Sequence, residues 1–104
     1  METVKINGGV EEIGKAAFQG CTSLANITIA DSVKLIGQNA FGSTKYYSTS
    51  TNWKNNTLNI GNHLIKVRSS VSGTFSVPAG TKAIAEDAFF ECGNITEISI
   101  PSSV

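Results

Sequence analysis

Apolar and polar residues alternate in four short segments of the chain, and each alternation predicts a strand that is buried on one side. The segments cover residues 4–6, 27–29, 75–77 and 98–100. The first and second are 23 residues apart, as are the third and fourth, and 48 residues separate the second from the third. This spacing predicts one short strand in each turn of a repeating structure, with the strands stacked side by side in a parallel sheet.

A longer motif repeats with the same spacing. Its pattern is V/T-x-x-I-G/A-x-x-A-F-x-x-C/T, and its isoleucines are Ile13, Ile36 and Ile84. A fixed period of this length is typical of a solenoid. The Ala-Phe part predicts a short helical or 3₁₀ turn, because it is too brief for a stable free helix. The phenylalanine of each copy should point inward and stack with the others in a buried ladder of Phe18, Phe41 and Phe89.

The middle of the chain, residues 42–80, is an irregular long repeat. It begins with a polar stretch rich in Ser, Thr and Asn, and continues with two apolar segments around Gly61-Asn62-His63. This order predicts a β-hairpin with a Gly-Asn turn. The turn accounts for His63, the only histidine, better than a ligand role does. Because 48 is close to twice the regular period, we expect the segment to replace one repeat, remain in the stack and bulge on one side.

These motifs resemble the BspA-type leucine-rich repeats, also called the Treponema pallidum class, whose frame is roughly L-x-x-I-x-I-P-x-S-V-x-x-I-G-x-x-A-F-x-x-C. Residues 24–44 and 81–104 follow this frame, with Ala30, Thr44 and Ala85 replacing its Pro, Cys and Gly. The resemblance implies a leucine-rich repeat solenoid, mostly β, over residues 1–104 as a single unit. It further implies a non-catalytic protein-interaction or adhesion module of a bacterial cell-surface or secreted protein.

Composition narrows the possible partners. The formal net charge is zero, from eight Lys+Arg and eight Asp+Glu, so no excess of positive charge favours nucleic acid or an anionic membrane. No apolar run is long enough to span a membrane, and the first residues lack the pattern of a signal peptide.

Cys21 and Cys92 occupy the same motif slot in different turns. At about 4.8 Å per turn they should lie about 14 Å apart, so we expect two free, buried thiols and no disulfide.

The sequence contains no enzyme signature. Its carboxylates fall on turn positions and do not predict a pair facing each other across a cleft, as a glycosidase requires. Histidine and cysteine are not spaced as metal ligands, and nothing indicates a cofactor. We therefore expect neither catalytic nor metal-binding residues. A structural spacer is the alternative to a binding module, and a segment of a carbohydrate-active enzyme is a remote one.

Two sets of residues are candidates for contact with a partner. The first is the aromatic set of the polar stretch, since Tyr and Trp dominate binding hot spots: Tyr46, Tyr47 and Trp53. We call the polar stretch, residues 42–57, the insertion, and we expect Trp53 to seal it. Adjacent residues of an extended chain point to opposite sides, so one of the two tyrosines should face outward. The second set lies on the exposed side of the predicted sheet: Lys5, Asn26, Thr28, Ser76, Glu97 and Ser99.

The expected partner is a protein or glycan of a host or of neighbouring bacteria. Solenoid ends need a polar cap, and neither end of this sequence carries one. We therefore expect an excised section of a longer extracellular chain. Its open ends should self-associate through exposed strand edges.

Overall fold

A computed structural model, which describes residues 2–104, shows a solenoid of short strands, as the repeat pattern predicts. The elements in chain order are β1 (Thr3–Ile6), β2 (Glu12–Ile13), β3 (Asn26–Ile29), β4 (Leu35–Ile36), α1 (Lys45–Ser48), a 3₁₀ turn (Ser50–Asn52), β5 (Trp53–Lys54), β6 (Thr57–Ile60), β7 (His63–Val67), β8 (Gly73–Ser76), β9 (Ala83–Ile84) and β10 (Ile95–Ser99). We call β1–β2 the first turn, β3–β4 the second, β6–β7 the third and β8–β9 the fourth.

Residues that are 23 positions apart in the sequence lie opposite each other in the parallel pairs of β1 with β3 and of β8 with β10. Val4 of β1 lies opposite Ile27 of β3, and Phe75 of β8 lies opposite Ile98 of β10. The structure adds a second short strand to each of the first two turns, formed by the V-x-x-I motif, in which β2 and β4 pair in parallel. In each of these two turns, the inward side chains of the first strand and the motif isoleucine of the second strand therefore fill the interior.

The Ala-Phe segments form hydrogen-bonded turns rather than helices. In the first of them Ala17 N donates to Gly14 O (3.2 Å) and Cys21 N donates to Phe18 O (3.1 Å). Both bonds span three residues, which is the 3₁₀ pattern. Neighbouring turns are joined through the same segments, since Phe18 N donates to Ala40 O at 2.8 Å. The repeat thus extends to the backbone hydrogen bonds outside the sheets.

Of the three residues in the predicted phenylalanine ladder, two stack and one is fully buried. The rings of Phe18 and Phe41 stack with centroids 5.5 Å apart and planes 7° apart. Phe89 instead meets Phe75 edge-on at 5.6 Å. Only Phe41 is fully buried, at 1% exposure, whereas Phe18 and Phe89 are half-buried. The ladder stops because the third turn intervenes without a phenylalanine, and its Val67 N binds Ala88 O beside Phe89.

The third turn is the predicted hairpin, but His63 is not in its bend. Strands β6 and β7 are antiparallel around Gly61 and Asn62, and His63 begins β7 with no exposed surface. Its Nδ1 lies 3.3 Å from Ile60 O and its Nε2 lies 3.2 Å from Val33 O. The assignment of His63 to the turn was therefore wrong. The ring joins the hairpin to the second turn and so acts as a core residue.

The hairpin remains in the stack, as predicted, but the pairing changes along the fourth turn. Strand β7 pairs in parallel with β9, and Ala85 N donates to Leu64 O at 2.9 Å. At the next residue the partner changes, because Glu86 N donates to Ile36 O of the second turn at 3.0 Å. The fourth turn is thus bonded directly both to the third turn and to the second.

Both cysteines are unpaired, as predicted from their separation in the stack. The expectation that they are buried was wrong, because each is half-exposed. The Sγ of Cys92 lies 3.5 Å from Val67 O. Cys92 therefore sits at the edge of the core rather than inside it.

Candidate functional site

A short helix places the two tyrosines of the polar stretch. Thr44 replaces the cysteine of the motif, and its side chain caps α1 by accepting from Tyr47 N at 3.1 Å. The same hydroxyl donates to Phe41 O at 2.8 Å. A threonine oxygen at this position satisfies one of the backbone N–H groups that a helix start leaves free. Thr44 therefore caps the start of α1, which a cysteine in the same motif slot would do less well.

The two tyrosines do not divide into an inward and an outward residue. The segment is helical rather than extended, and both side chains are half-buried against the core. The hydroxyl of Tyr46 donates to Asn59 O at 2.8 Å, which ties α1 to β6. Tyr47 lies beside Trp53, with ring centroids 5.4 Å apart and planes 86° apart. The prediction of an outward-facing tyrosine was wrong, because it assumed an extended chain.

A second hairpin, not foreseen from the sequence, positions Trp53. Strand β5 pairs with β6 around Asn55 and Asn56, whose φ angles are 51° and 64°. Two successive positive φ angles favour the tight turn that matches the twist of a hairpin, and asparagine tolerates them. The indole Nε1 donates to Tyr47 O at 2.8 Å. Trp53 therefore seals the insertion, as expected, and also presents part of its ring to a surface cleft.

Strand β7 and the residue after it supply two cations to that cleft. Lys66 and Arg68 are two positions apart, so an extended chain directs them to the same side. The Arg68 guanidinium lies over the Trp53 ring, with Cζ 4.3 Å from the centroid. The Lys66 ammonium lies 5.5 Å from the centroid of Phe90 and donates to Asp87 O at 3.0 Å. Each cation is thus held against an aromatic ring.

We call this site the cation–aromatic cleft and define it by Tyr47, Trp53, Lys66, Arg68 and Phe90. Its volume is about 500 Å³. Its aromatic rings come from the insertion and from the fourth turn, and its cations come from the third turn, so the fold assembles it from three parts of the chain. Such a cleft can hold a ligand by charge and by contact with ring surfaces.

Phe90 is the most exposed ring of the cleft, with 59% of its surface accessible. The sequence pattern did not indicate Phe90, Lys66 or Arg68 as contact residues. A signal for Phe90 is present, because the residue after the motif phenylalanine is Gln19 in the first turn and Gly42 in the second. An apolar side chain in a slot that is otherwise polar or glycine marks a place where this turn departs from the repeat.

The electrostatics of the cleft are visible at Tyr47. Burial raises the pKa of its hydroxyl, the negative charge of Asp87 raises it further, and the positive charge of Arg68 lowers it. The phenol therefore stays protonated at neutral pH and is available as a hydrogen-bond donor. Burial also raises the pKa of Tyr46, whose hydroxyl is already used by Asn59.

The predicted sheet-face residues are all exposed, but they do not form one surface with the cleft. They divide into two patches, because β1 pairs with β3 and β8 pairs with β10 in separate two-stranded sheets. One patch contains Lys5, Asn26 and Thr28, and the other contains Ser76, Glu97 and Ser99. Of the predicted contact residues, only Tyr47 and Trp53 line the cleft.

Within residues 2–104, no group of three or more His, Cys, Asp and Glu side chains is arranged to hold a metal ion. No helix in this part of the chain is long and apolar enough to cross a membrane.

A family model described as a BspA type leucine rich repeat region matches residues 1–104, in 6 copies. No curated protein and no solved structure matches the chain.

Proposed function

Because the chain belongs to the BspA type leucine rich repeat family, we propose that it is a non-catalytic recognition module that binds a protein partner through the cation–aromatic cleft. Repeats of this family suggest protein interaction, and catalysis is not typical of them. The observation that carries the proposal is the clustering of Tyr47, Trp53 and Phe90 around two cations in one cleft. Aromatic and arginine side chains in such settings dominate the binding energy of protein interfaces.

The cleft is held in place by the fold, which favours binding without a large loss of side-chain freedom. Trp53 is fixed by its bond to Tyr47 O, and the backbone of Arg68 is fixed by the bond of its N–H to Asn56 O at 2.9 Å. The adjacent strand β7 is bonded on both edges, to β6 and to β9. A partner would therefore meet side chains that are already close to their bound positions.

The proposed setting is the surface of a bacterium, with adhesion to a host or to neighbouring bacteria as the biological role. Members of the family are usually surface-associated in bacteria. A stacked solenoid is suited to this setting because its rigid framework displays a side cleft at a fixed distance along the stack. The alternative role as a spacer predicts the same framework with no binding at the cleft.

Two exposed apolar residues offer a matched test. Phe90 and Leu35 are 59% and 58% exposed, and only Phe90 lines the cleft. The purified chain would be screened by biolayer interferometry against host matrix glycoproteins and bacterial surface proteins. For any protein that binds, Phe90→Ala should weaken binding by about 1–2 kcal/mol, on the scale of interface hot spots. Leu35→Ala should leave binding unchanged, because its side chain lies outside the cleft.

Two results would count against the proposal. A clean absence of binding across the screen favours the spacer. Binding that is unaffected by Phe90→Ala, but lost when Thr28, Ser76 and Ser99 are each changed to lysine, would move recognition to the sheet-face patches. Thermal melts of all variants would show whether each remains folded, which separates loss of contact from loss of structure.

A further inference from the structure

The two cations of the cleft carry charge that the protein does not neutralise. Within residues 2–104 the only ion pair joins Lys34 to Glu11, at 3.9 Å. Lys66 donates one hydrogen bond, to a backbone carbonyl, and retains two of its three donors. Arg68 is held over a ring face, a contact that uses none of its five N–H donors. Both groups therefore have donors and charge to offer to an anion.

The acidic residues near the cleft do not remove this charge. Glu91 lines the same cleft and is exposed, which leaves a net positive lining beside Lys66 and Arg68. The carboxylate of Asp87 is not part of the cleft lining. Its Oδ2 accepts from Asn39 N at 3.2 Å, and its negative charge is felt in the cleft at Tyr47. An incoming anion would therefore meet two cations and one exposed carboxylate that is free to turn toward water.

The spacing of Lys66 and Arg68 along the chain favours an extended ligand. The Cα atoms of alternate residues in an extended chain are about 7 Å apart, so the two side chains leave the backbone at that interval, and their charged ends are held over Phe90 and Trp53. An extended peptide places its own alternate side chains on one side at the same interval. Acidic side chains at positions i and i+2 of such a peptide would reach both cations together. Phe90 would then contact an apolar or aromatic side chain nearby.

We propose that the cation–aromatic cleft binds an extended acidic segment of a partner protein, with carboxylates at alternate positions received by Lys66 and Arg68. This inference rests on the proposed function and specifies its ligand chemistry. Carboxylate is the group that a guanidinium and an ammonium bind best among protein side chains. The hydroxyls of Ser69 and Ser70, which also line the cleft, are further donors for the carbonyls of the peptide.

The test uses two synthetic peptides of identical composition, one with glutamates at alternate positions separated by alanine and tyrosine, and one with the glutamates adjacent. Trp53 is the only tryptophan of the chain, so its fluorescence reports binding at the cleft directly. We expect the alternating peptide to bind about tenfold more tightly than the adjacent one, and binding to weaken as salt is added. A peptide with lysine replacing glutamate should not bind.

The matched variants change the charge equally at two places. Lys66→Gln with Arg68→Gln should weaken the alternating peptide about tenfold or more. Lys45→Gln with Lys54→Gln removes the same charge from residues outside the cleft and should change affinity less than about twofold. Thermal melts confirm that both double variants are folded. A Phe90→Ala variant should also bind the alternating peptide more weakly, because the ring contact is lost.

Three results would overturn the inference. They are failure of the alternating peptide to bind, equal weakening by the two double variants, and tighter binding of an oligoglucuronate, which would assign the cations to a carboxylated glycan. These outcomes are distinguishable from failure of the proposed function. If a protein partner found in the screen still loses affinity on Phe90→Ala but not on Lys66→Gln with Arg68→Gln, the cleft recognises protein and only the acidic chemistry is wrong.

Discussion

Gly37 is the glycine at which an added Cβ would meet the neighbouring turn most closely, and its replacement by alanine is the sharpest test of the stack. A Cβ built at Gly37 would meet the backbone of the first turn, closest to Lys15 N and at 2.7 Å from Lys15 Cα and 2.8 Å from Gly14 C. Carbon atoms in favourable contact are about 3.5–4.0 Å apart. The turns would therefore have to separate by about 1 Å, and this would stretch the bond from Gly37 N to Ile13 O, now 2.8 Å.

The expected loss of stability follows from these contacts. Strain from an added methyl group in a packed interior costs about 1–3 kcal/mol, and the obstructing atoms here are backbone, which cannot rotate away. Loss of one or two backbone hydrogen bonds between the turns adds about 1 kcal/mol each. We expect Gly37→Ala to lower the free energy of unfolding by about 3 kcal/mol. For a domain of this size that lowers Tm by at least about 12 °C.

The chain provides its own control at Gly14, which holds the same motif slot one turn earlier. A Cβ at Gly14 would meet no atom within 4 Å. Gly14→Ala should therefore be neutral, or stabilise by about 0.4–1 kcal/mol through the lower entropy of the unfolded chain. Urea unfolding and thermal melts of both variants would measure the difference. Equal stability of Gly37→Ala and Gly14→Ala would refute the stacked geometry.

Three other predictions concern the core and the insertion. Phe41→Ala should cost about 3–5 kcal/mol, and Phe18→Ala clearly less, because Phe18 is only half-buried; equal losses in urea unfolding would contradict this arrangement. His63→Leu should cost about 1–3 kcal/mol, since two buried carbonyls that face the ring lose a polar neighbour. An unchanged urea midpoint would show that the ring contributes only packing. Because burial, then Asp87, raises the pKa of Tyr47 above its ordinary value of 10.0, the folded state binds the phenol proton more tightly than the unfolded state does. This contribution to stability is complete below about pH 10 and is lost as pH rises through the folded pKa. Tyr47→Phe should therefore flatten the decline of Tm above pH 10, and an unchanged slope would exclude Tyr47 as its source.

The regular turns were predictable because they depend on local pattern. Alternation placed Ile27 and Phe75 on the inner side of their strands, whereas Ile98 of the last strand is 40% exposed. The motif spacing gave the register in which Val4 faces Ile27 and Phe75 faces Ile98. Glycine and asparagine marked the bend between β6 and β7. Each of these features is decided within a few residues or by exact repetition along the chain, so that no knowledge of distant contacts was required.

The insertion was harder to predict because its features depend on contacts between distant residues. In the sequence, Thr44 is recognisable only as a replacement of the motif cysteine. Its role as the cap of α1 depends on the presence of the helix, which the sequence did not predict. Asn55-Asn56 lacks the glycine that usually marks a two-residue hairpin. The cleft itself required Phe90 of the fourth turn to lie beside Lys66 of the third, a proximity that sequence spacing does not show when a repeat is irregular.

The direct bond between the second and fourth turns has a mechanical consequence. Tension applied along the stack can pass from Ile36 to Glu86, through the bond described above, without travelling through β5 or β6. A pull exerted by a partner on Lys66 or Arg68 instead loads β7, which is bonded to β6 on one edge and to β9 on the other. The second and fourth turns are therefore connected by two routes, one through the bond from Glu86 to Ile36 and one through the hairpin. Distortion of the hairpin under traction at the cleft would leave the direct route in place.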